Sequence, residues 1–294
     1  MPMKAGRGAQ RAAEEVHLLY TAVRRAQCQK TSRHSVGPIL GAAGARFLRE
    51  PRDLGYAGPM CSNYEAVTRA DRMLAFFGVV HEDSPSIITF PTGLAPFIRL
   101  SEAGKRQAVD GHFGLLPHFA KELAFGRRTY NARSETVATL PSFRDAWRRG
   151  QRCIVPAEAI FEPSYETGKA VRWRIWQPGE VPMGIAGIWT SWRDPADQSE
   201  HFSFAMLTVN AAGHPVMQRF HRSEDEKRMV VILDPDDYDA WLTCSKDEAP
   251  RYFRQWMGTL ETEAAPLAPR AKRPKGEGPP PPELPELPGE PELF

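Results

Sequence analysis

The chain has 294 residues, 41% of them apolar and 25% charged, the proportions of an ordinary soluble globular protein with enough material for a sizeable core. Its formal net charge of +2 is too small for bulk electrostatics to select a nucleic acid, so any such role must rest on a local patch. Cys28, Cys61, Cys153 and Cys244 lie far apart with no C-x-x-C pair, which argues against a zinc site and against a disulfide-stapled secreted scaffold.

No apolar run approaches the roughly 18 residues needed to span a bilayer, so no membrane contact is expected. The Arg24-Arg25 pair ahead of "VGPILGAAGA" opens a stretch too short and too rich in glycine for an export signal. A reducing, cytoplasmic location is expected. Residues 1–59 are rich in Arg, Ala and Gly without a sustained period, which predicts either a disordered, removable extension or an upstream misreading of the start.

From residue 60 to 261 strand-like and helix-like signals alternate, which suits a single α+β domain. "EAVTRADRMLAFFGV" carries Ala66, Ala70, Leu74 and Phe77 at helical spacing, and "LPSFRDAWRRG" sets Phe143 and Trp147 one turn apart. In "VPAEAIFEP", strand alternation puts Val155, Ala157, Ala159 and Phe161 on one face, with Glu158, Ile160 and Glu162 on the other. Glu158 reads as a solvated carboxylate. "AVRWRIWQ", "PMGIAGIWTSW", "HFSFAMLTV" and "RMVVIL" read as strands, with Arg172 and Arg174 alternating against Val171, Trp173 and Ile175 in the first. "DPDDYDAWL" predicts a third helix, opened by acidic residues and carrying Tyr238 and Trp241 on one face. From 262 to 294 the chain is Pro/Glu-rich and reads as a disordered tail.

The stretch "GPMCSNYEAV" places Met60-Cys61 at the head of this patterned region. An internal cysteine offers only a thiol, and by itself Cys61 reads as a small buried hydrophobe. A cysteine at the chain start offers a thiol and an α-amine two carbons apart. That amine has a reference pKa of about 7.7–8.0, so a useful fraction is unprotonated at neutral pH and can condense with an aldehyde. The thiol can then close a five-membered thiazolidine.

Several motifs occur in one order: "MCSNYEAV", "FGLLPHF", "YNARSETV", "RCIVPAEAIFEP", "GIAGIW" and "RFHRSEDEKRMVVIL". Together they resemble the SOS-response-associated peptidase (SRAP) family of abasic-site processing proteins over nearly all of 60–260. The resemblance implies a single domain with a mixed, barrel-like sheet flanked by helices. It also implies a DNA-repair role in the response to DNA damage, in which the cysteine exposed by methionine removal is crosslinked to the sugar aldehyde of an abasic site in single-stranded DNA. On this resemblance Cys61 is the nucleophile, Asn131 the orienting amide, Glu162 the proton shuttle and His221 a second acid/base; Arg133 grips phosphate. His214 is the rival histidine. The family's peptidase label implies hydrolase activity directed at the residues ahead of Cys61, and reversal of the crosslink would be lyase-like. No metal or organic cofactor is implied, and the protein is expected to meet single-stranded DNA as a monomer.

The chain departs from the family pattern where many members read C-G-R: Ser62 and Asn63 follow the cysteine, so an arginine that would touch DNA near the nucleophile is missing. Phe113 stands where tryptophan is common, leaving either base stacking or packing as its role. The expected DNA-binding set is Asn63, Phe113, Arg133, Arg148, Arg149 and Arg152, although Arg148 and Arg149 also fit a solvated helix face. Two other readings stay open at this point, a thiol peptidase or amidohydrolase using Cys61 with His221, and a single-stranded DNA-binding module without chemistry.

Overall fold

A thirteen-residue strand, β6 (Arg152–Ser164), organises the architecture, because it is long enough to serve two sheets in succession. The computed structural model describes residues 63–82 and 88–267. Residues 152–157 of β6 pair antiparallel with β8 (Met183–Arg193), while Ile154 meets Ile98 of β3 (Leu94–Leu100) on the other edge. β3 pairs antiparallel with β4 (Arg106–Phe113), β4 runs parallel to β9 (Glu200–Asn210), and β9 returns antiparallel to β8. These five strands close on themselves as a mixed barrel, leaving no open edge among them.

Beyond the barrel β6 changes partners. Its second half lies between β1 (Asn63–Ala66) and β7 (Val171–Trp176). Pro156, which has no N–H to donate, falls between the last β3 contact at Ile154 and the first β1 contact at Ala157. β1 also carries β2 (Ile88–Thr89) on its outer edge. β5 (Asn131–Arg133) runs parallel to the end of β9, opposite β10 (Arg228–Val230), and β11 (Ile232–Leu233) continues along β8. β12 (Glu261–Ala264) pairs with β7. The chain from 262 therefore does not begin as a tail: its first residues extend the sheet.

The three expected helices are present as α1 (Ala70–Phe77), α2 (Arg144–Arg148) and α3 (Tyr238–Thr243). α1 starts later than its apolar spacing predicts, because Ala66 is taken up in β1 opposite Ala157. Gly78 ends it in the left-handed conformation, its N–H bonding to Leu74 O at 3.0 Å. "RMVVIL" is split between β10 and β11, since Val231 turns from β9 to β8: its N–H bonds to Leu207 O while its carbonyl accepts from Ala186. Alternation along β6 does not separate an inner from an outer face. Both sets are buried, and Glu158 is half-buried in a two-point ion pair with Arg72, both distances 2.6 Å.

The barrel is filled by aromatic rings. Phe113 is fully buried, edge-on to Tyr64 at 5.1 Å and stacked with Phe204 at 5.7 Å, and Phe97 lies 5.2 Å from Phe204. The next residue, Gly114, has φ +122°, and a Cβ there would run into the backbone of Gly126. This steric limit accounts for the glycine in "FGLLPHF". Gly114→Ala is expected to lower stability by about 3 kcal/mol, read as a fall in the midpoint of chemical denaturation; an unchanged midpoint would refute the crowding argument.

Candidate active site

The far end of β6 carries Glu162, whose side chain is buried. Its neighbours bring a second titratable group to it. Ser164 bridges to Phe220, and the His221 N–H bonds to Pro163 O at 2.9 Å, which folds the imidazole onto the carboxylate: Nε2 lies 3.6 Å from Glu162 Oε2. That separation is longer than a hydrogen bond. His221 has φ +66°, a conformation that costs a non-glycine residue about 1–2 kcal/mol. The cost is met by specific contacts: Lys227 Nζ donates to the carbonyls of Phe220, His221 and Arg222 at 3.0, 3.2 and 2.6 Å. A cleft of about 500 Å³, lined by Tyr165, Arg219, His221, Arg222 and Lys227 among others, opens beside the imidazole.

Burial holds the His221 imidazole below its ordinary range, with Lys227 acting in the same direction and Asp225 against it. A backbone hydrogen bond with Arg228 also acts in the raising direction, but loss of water around the ring outweighs it. The histidine is thus neutral near pH 7 and able to accept a proton.

Asn131 and Arg133 lie on β5, and the segment 226–228 links them to the histidine loop. Glu226 bonds Arg133 Nη1 at 2.8 Å, Asn210 Nδ2 at 3.0 Å and Arg228 Nη1 at 2.7 Å. Arg228 is buried and grips Glu135 with both Nη atoms at 2.9 Å, while Nη2 also reaches Thr208 O at 2.7 Å. "NARSE" and "EKR" are therefore joined by one set of ion pairs, and the next residue after Glu226 holds His221. Sequence reasoning missed Glu226, Lys227 and Arg228, since charges beside a strand look like a solvated face.

Other expected positions fall differently. Phe113 is inside the barrel, so it presents no ring to a base. Arg152 is equally buried, its guanidinium 3.8 Å from the Trp147 ring and 5.3 Å from that of Trp241, where it packs α2 and α3 and cannot reach DNA. Arg148 and Arg149 are exposed at the end of α2, Arg148 paired with Asp145 at 3.0 Å; Arg148 lines a separate cleft with Arg144, Trp147 and Lys246. His214 is structural: Nδ1 accepts from Val216 and Met217 N–H, and Nε2 donates to Trp256 O at 2.6 Å. Cys61 and the 1–59 segment lie outside the described residues.

Asn63 opens β1 and pairs with Phe161, the residue before Glu162. With its carboxamide oriented by the donors that face it, its oxygen accepts from Arg172 Nη2 at 2.7 Å and Nε at 3.2 Å. An arginine supplied by β7 thus stands beside Asn63 at the start of β1.

The sequence pattern of the family "SOS response associated peptidase (SRAP)" matches residues 60–270. The chain belongs to the SRAP family. Among SRAP relatives, the abasic site processing protein YoqW of Bacillus subtilis is 28% identical over 143 residues, 48% of this chain and 59% of that protein. The abasic site processing protein HMCES of Gallus gallus is 25% identical over 170 residues, 48% of this chain and 47% of its own. The matched region thus spans less than two thirds of either relative. A solved structure from Bordetella bronchiseptica is 34% identical with a TM-score of 0.65, covering 70% of this chain and all of that one. The SRAP barrel, mixed and α+β as expected, is common to both. No helix among the described residues is long and apolar enough to cross a membrane.

Because the folded-state pKa of His221 is depressed, protonation favours the unfolded chain. Its contribution to stability is complete above about pH 6.5 and is lost as pH falls through that value towards the lower folded-state pKa. Denaturation at about pH 7.5 and about pH 5.5 should show a smaller pH-dependent loss for His221→Gln than for the parent; equal losses would contradict the burial argument.

Proposed function

We propose that the protein processes abasic sites in single-stranded DNA by forming a covalent crosslink through Cys61 as the first residue of its working chain. The observation that carries this reading is the buried Glu162–His221 pair at the end of β6, beside the strand that begins two residues after Cys61. A point two residues along the chain from Asn63 can be no farther from it than about 7 Å. The nucleophile is thereby tethered close to an acid/base pair.

The opened sugar of an abasic site carries an aldehyde. The free α-amine adds to its carbon, and loss of water leaves a Schiff base. The thiol sulfur then adds to the same carbon while its proton passes to the nitrogen, closing the thiazolidine with one water released overall. Glu162 takes a proton from the attacking nitrogen and returns it to the hydroxyl that leaves as water, and neutral His221 takes up and returns a proton at the sugar oxygen during ring opening and reversal. Asn131 orients the sugar and the amine, since a carboxamide both donates and accepts. Arg133, held by Glu226, exchanges that partner for a phosphate. The pairing with Glu226 keeps its guanidinium extended before DNA arrives.

An amide nitrogen cannot perform this chemistry, because its lone pair is delocalised into the carbonyl. The working protein therefore starts at Cys61, either by initiation at Met60 with removal of the methionine or by self-cleavage of the Met60–Cys61 bond. The names of the SRAP relatives support the substrate class.

Intact mass spectrometry of protein from its own cell should give a chain beginning at Cys61, and that protein should form a heat-stable adduct with abasic but not intact single-stranded DNA. Cys61→Ala should abolish the adduct; a variant that crosslinks like the parent, or an active chain still carrying Met1, would sink the mechanism. Glu162→Gln should slow crosslinking by about 100-fold with little change in DNA affinity, measured as single-turnover rate against equilibrium binding. Arg133→Ala should weaken binding and reduce the log–log salt slope by about 1; an unaltered slope would remove Arg133 from the phosphate contacts.

A further inference from the structure

Arg172 is held more closely than a surface arginine on a strand needs to be. Its guanidinium carbon sits 3.3 Å from the centre of the Phe161 ring, Nη2 and Nε both reach the Asn63 carboxamide oxygen, and Nη1 donates to Ala265 O at 3.1 Å. Ala265 N–H returns a bond to Arg172 O at 2.8 Å. One side chain thus ties together β1, β6, β7 and the segment after β12. Asn63 is nearly inaccessible beneath it, 3% exposed.

The register sets which side of the sheet this clamp occupies. Glu162 pairs with Trp173, whereas Arg172 pairs with Pro163 and lies against Phe161. Successive side chains alternate between faces, so Arg172, Phe161 and Asn63 share one face and Glu162 the other. Arg172 therefore approaches β1 from behind the acid/base pair and not from the side on which DNA would meet it.

We propose that Arg172 is a positioning residue for the covalent step: it clamps Asn63 against Phe161 and so fixes where the chain enters β1, and with it the distance from residue 61 to Glu162. The proposal rests on the crosslinking function proposed above. Asn63 contributes as the clamp's acceptor and not as a DNA contact. A loosened entry lets the amine sample orientations from which the aldehyde is out of reach, and misplacement by about 1 Å can cost a factor on the order of 100 in rate.

Arg172→Met, Asn63→Ala and the double variant, each made as the full chain in the protein's own host cell, separate the alternatives. Each single variant should crosslink abasic single-stranded DNA about 10- to 100-fold more slowly at saturating DNA. The dissociation constant and salt slope should stay near the parent's, and the double variant should be no slower than the slower single one, because both remove the same contact. Amide hydrogen exchange in β1 should quicken in all three while cooperative unfolding is retained. A parental rate, additive losses, or a loss confined to affinity and salt slope would overturn the proposal, the last by making Arg172 a phosphate contact. If the parent forms no crosslink, the function proposed above fails by itself; Arg172 is then judged on β1 exchange, and unchanged exchange would overturn the clamp.

Discussion

β6 has partner strands on both edges, β8 and β3 inside the barrel and then β1 and β7 beyond it. A strand with partners on both sides cannot slip by one residue without reversing every side chain on it. The barrel end of β6 is locked by Ile98, Ala186 and Ile185 against Ile154 and Val155, so the position of Glu162 towards its other end follows from packing seven to eight residues away. The same rigidity carries Pro163 to the His221 N–H and Phe161 to Asn63. The acid/base pair and the start of β1 are thereby brought to one end of one strand.

Around that strand, charge is handled in two ways. Arg228 is buried but has carboxylates from Glu135 and Glu226 and the oxygens of Thr208 as acceptors, so its desolvation is compensated by direct hydrogen bonds. Arg152 has ring faces for neighbours and a long 3.5 Å contact to the Trp147 carbonyl, and burial lowers its pKa from the ordinary arginine range. The first arrangement connects the "NARSE" strand to the histidine loop. The second fastens α2 and α3 to the barrel and has no part in recognising a ligand.

The candidate site also holds a strained element. His221 in the left-handed region is stable only because Pro163 receives its N–H and Lys227 collects three carbonyls around it. With its ring buried and neutral, the histidine is ready to accept a proton without first losing one. In this conformation the imidazole lies 3.6 Å from Glu162 at the edge of the cleft.

Local sequence by itself determined the strands β7, β8 and β9, the existence of three helices, and the order of motifs that marks the family, because period and motif order are properties of neighbouring residues. That a cysteine at a chain start carries a 1,2-aminothiol follows from covalent chemistry alone. What local sequence could not determine was burial. Phe113 and Arg152 looked like groups for DNA and are inside; Glu158 looked solvated and is paired with Arg72; Ala66 looked helical and is in a strand. Each outcome depends on which distant segment covers that position, and β6, covered on both faces, has an alternation that carries no information about inside and outside. Arg172 is the clearest case. In "AVRWRIWQ" it reads as the outward residue of a half-buried strand, and only the pairing of β7 with β6 and of β6 with β1 brings Asn63, 109 positions earlier, under its guanidinium.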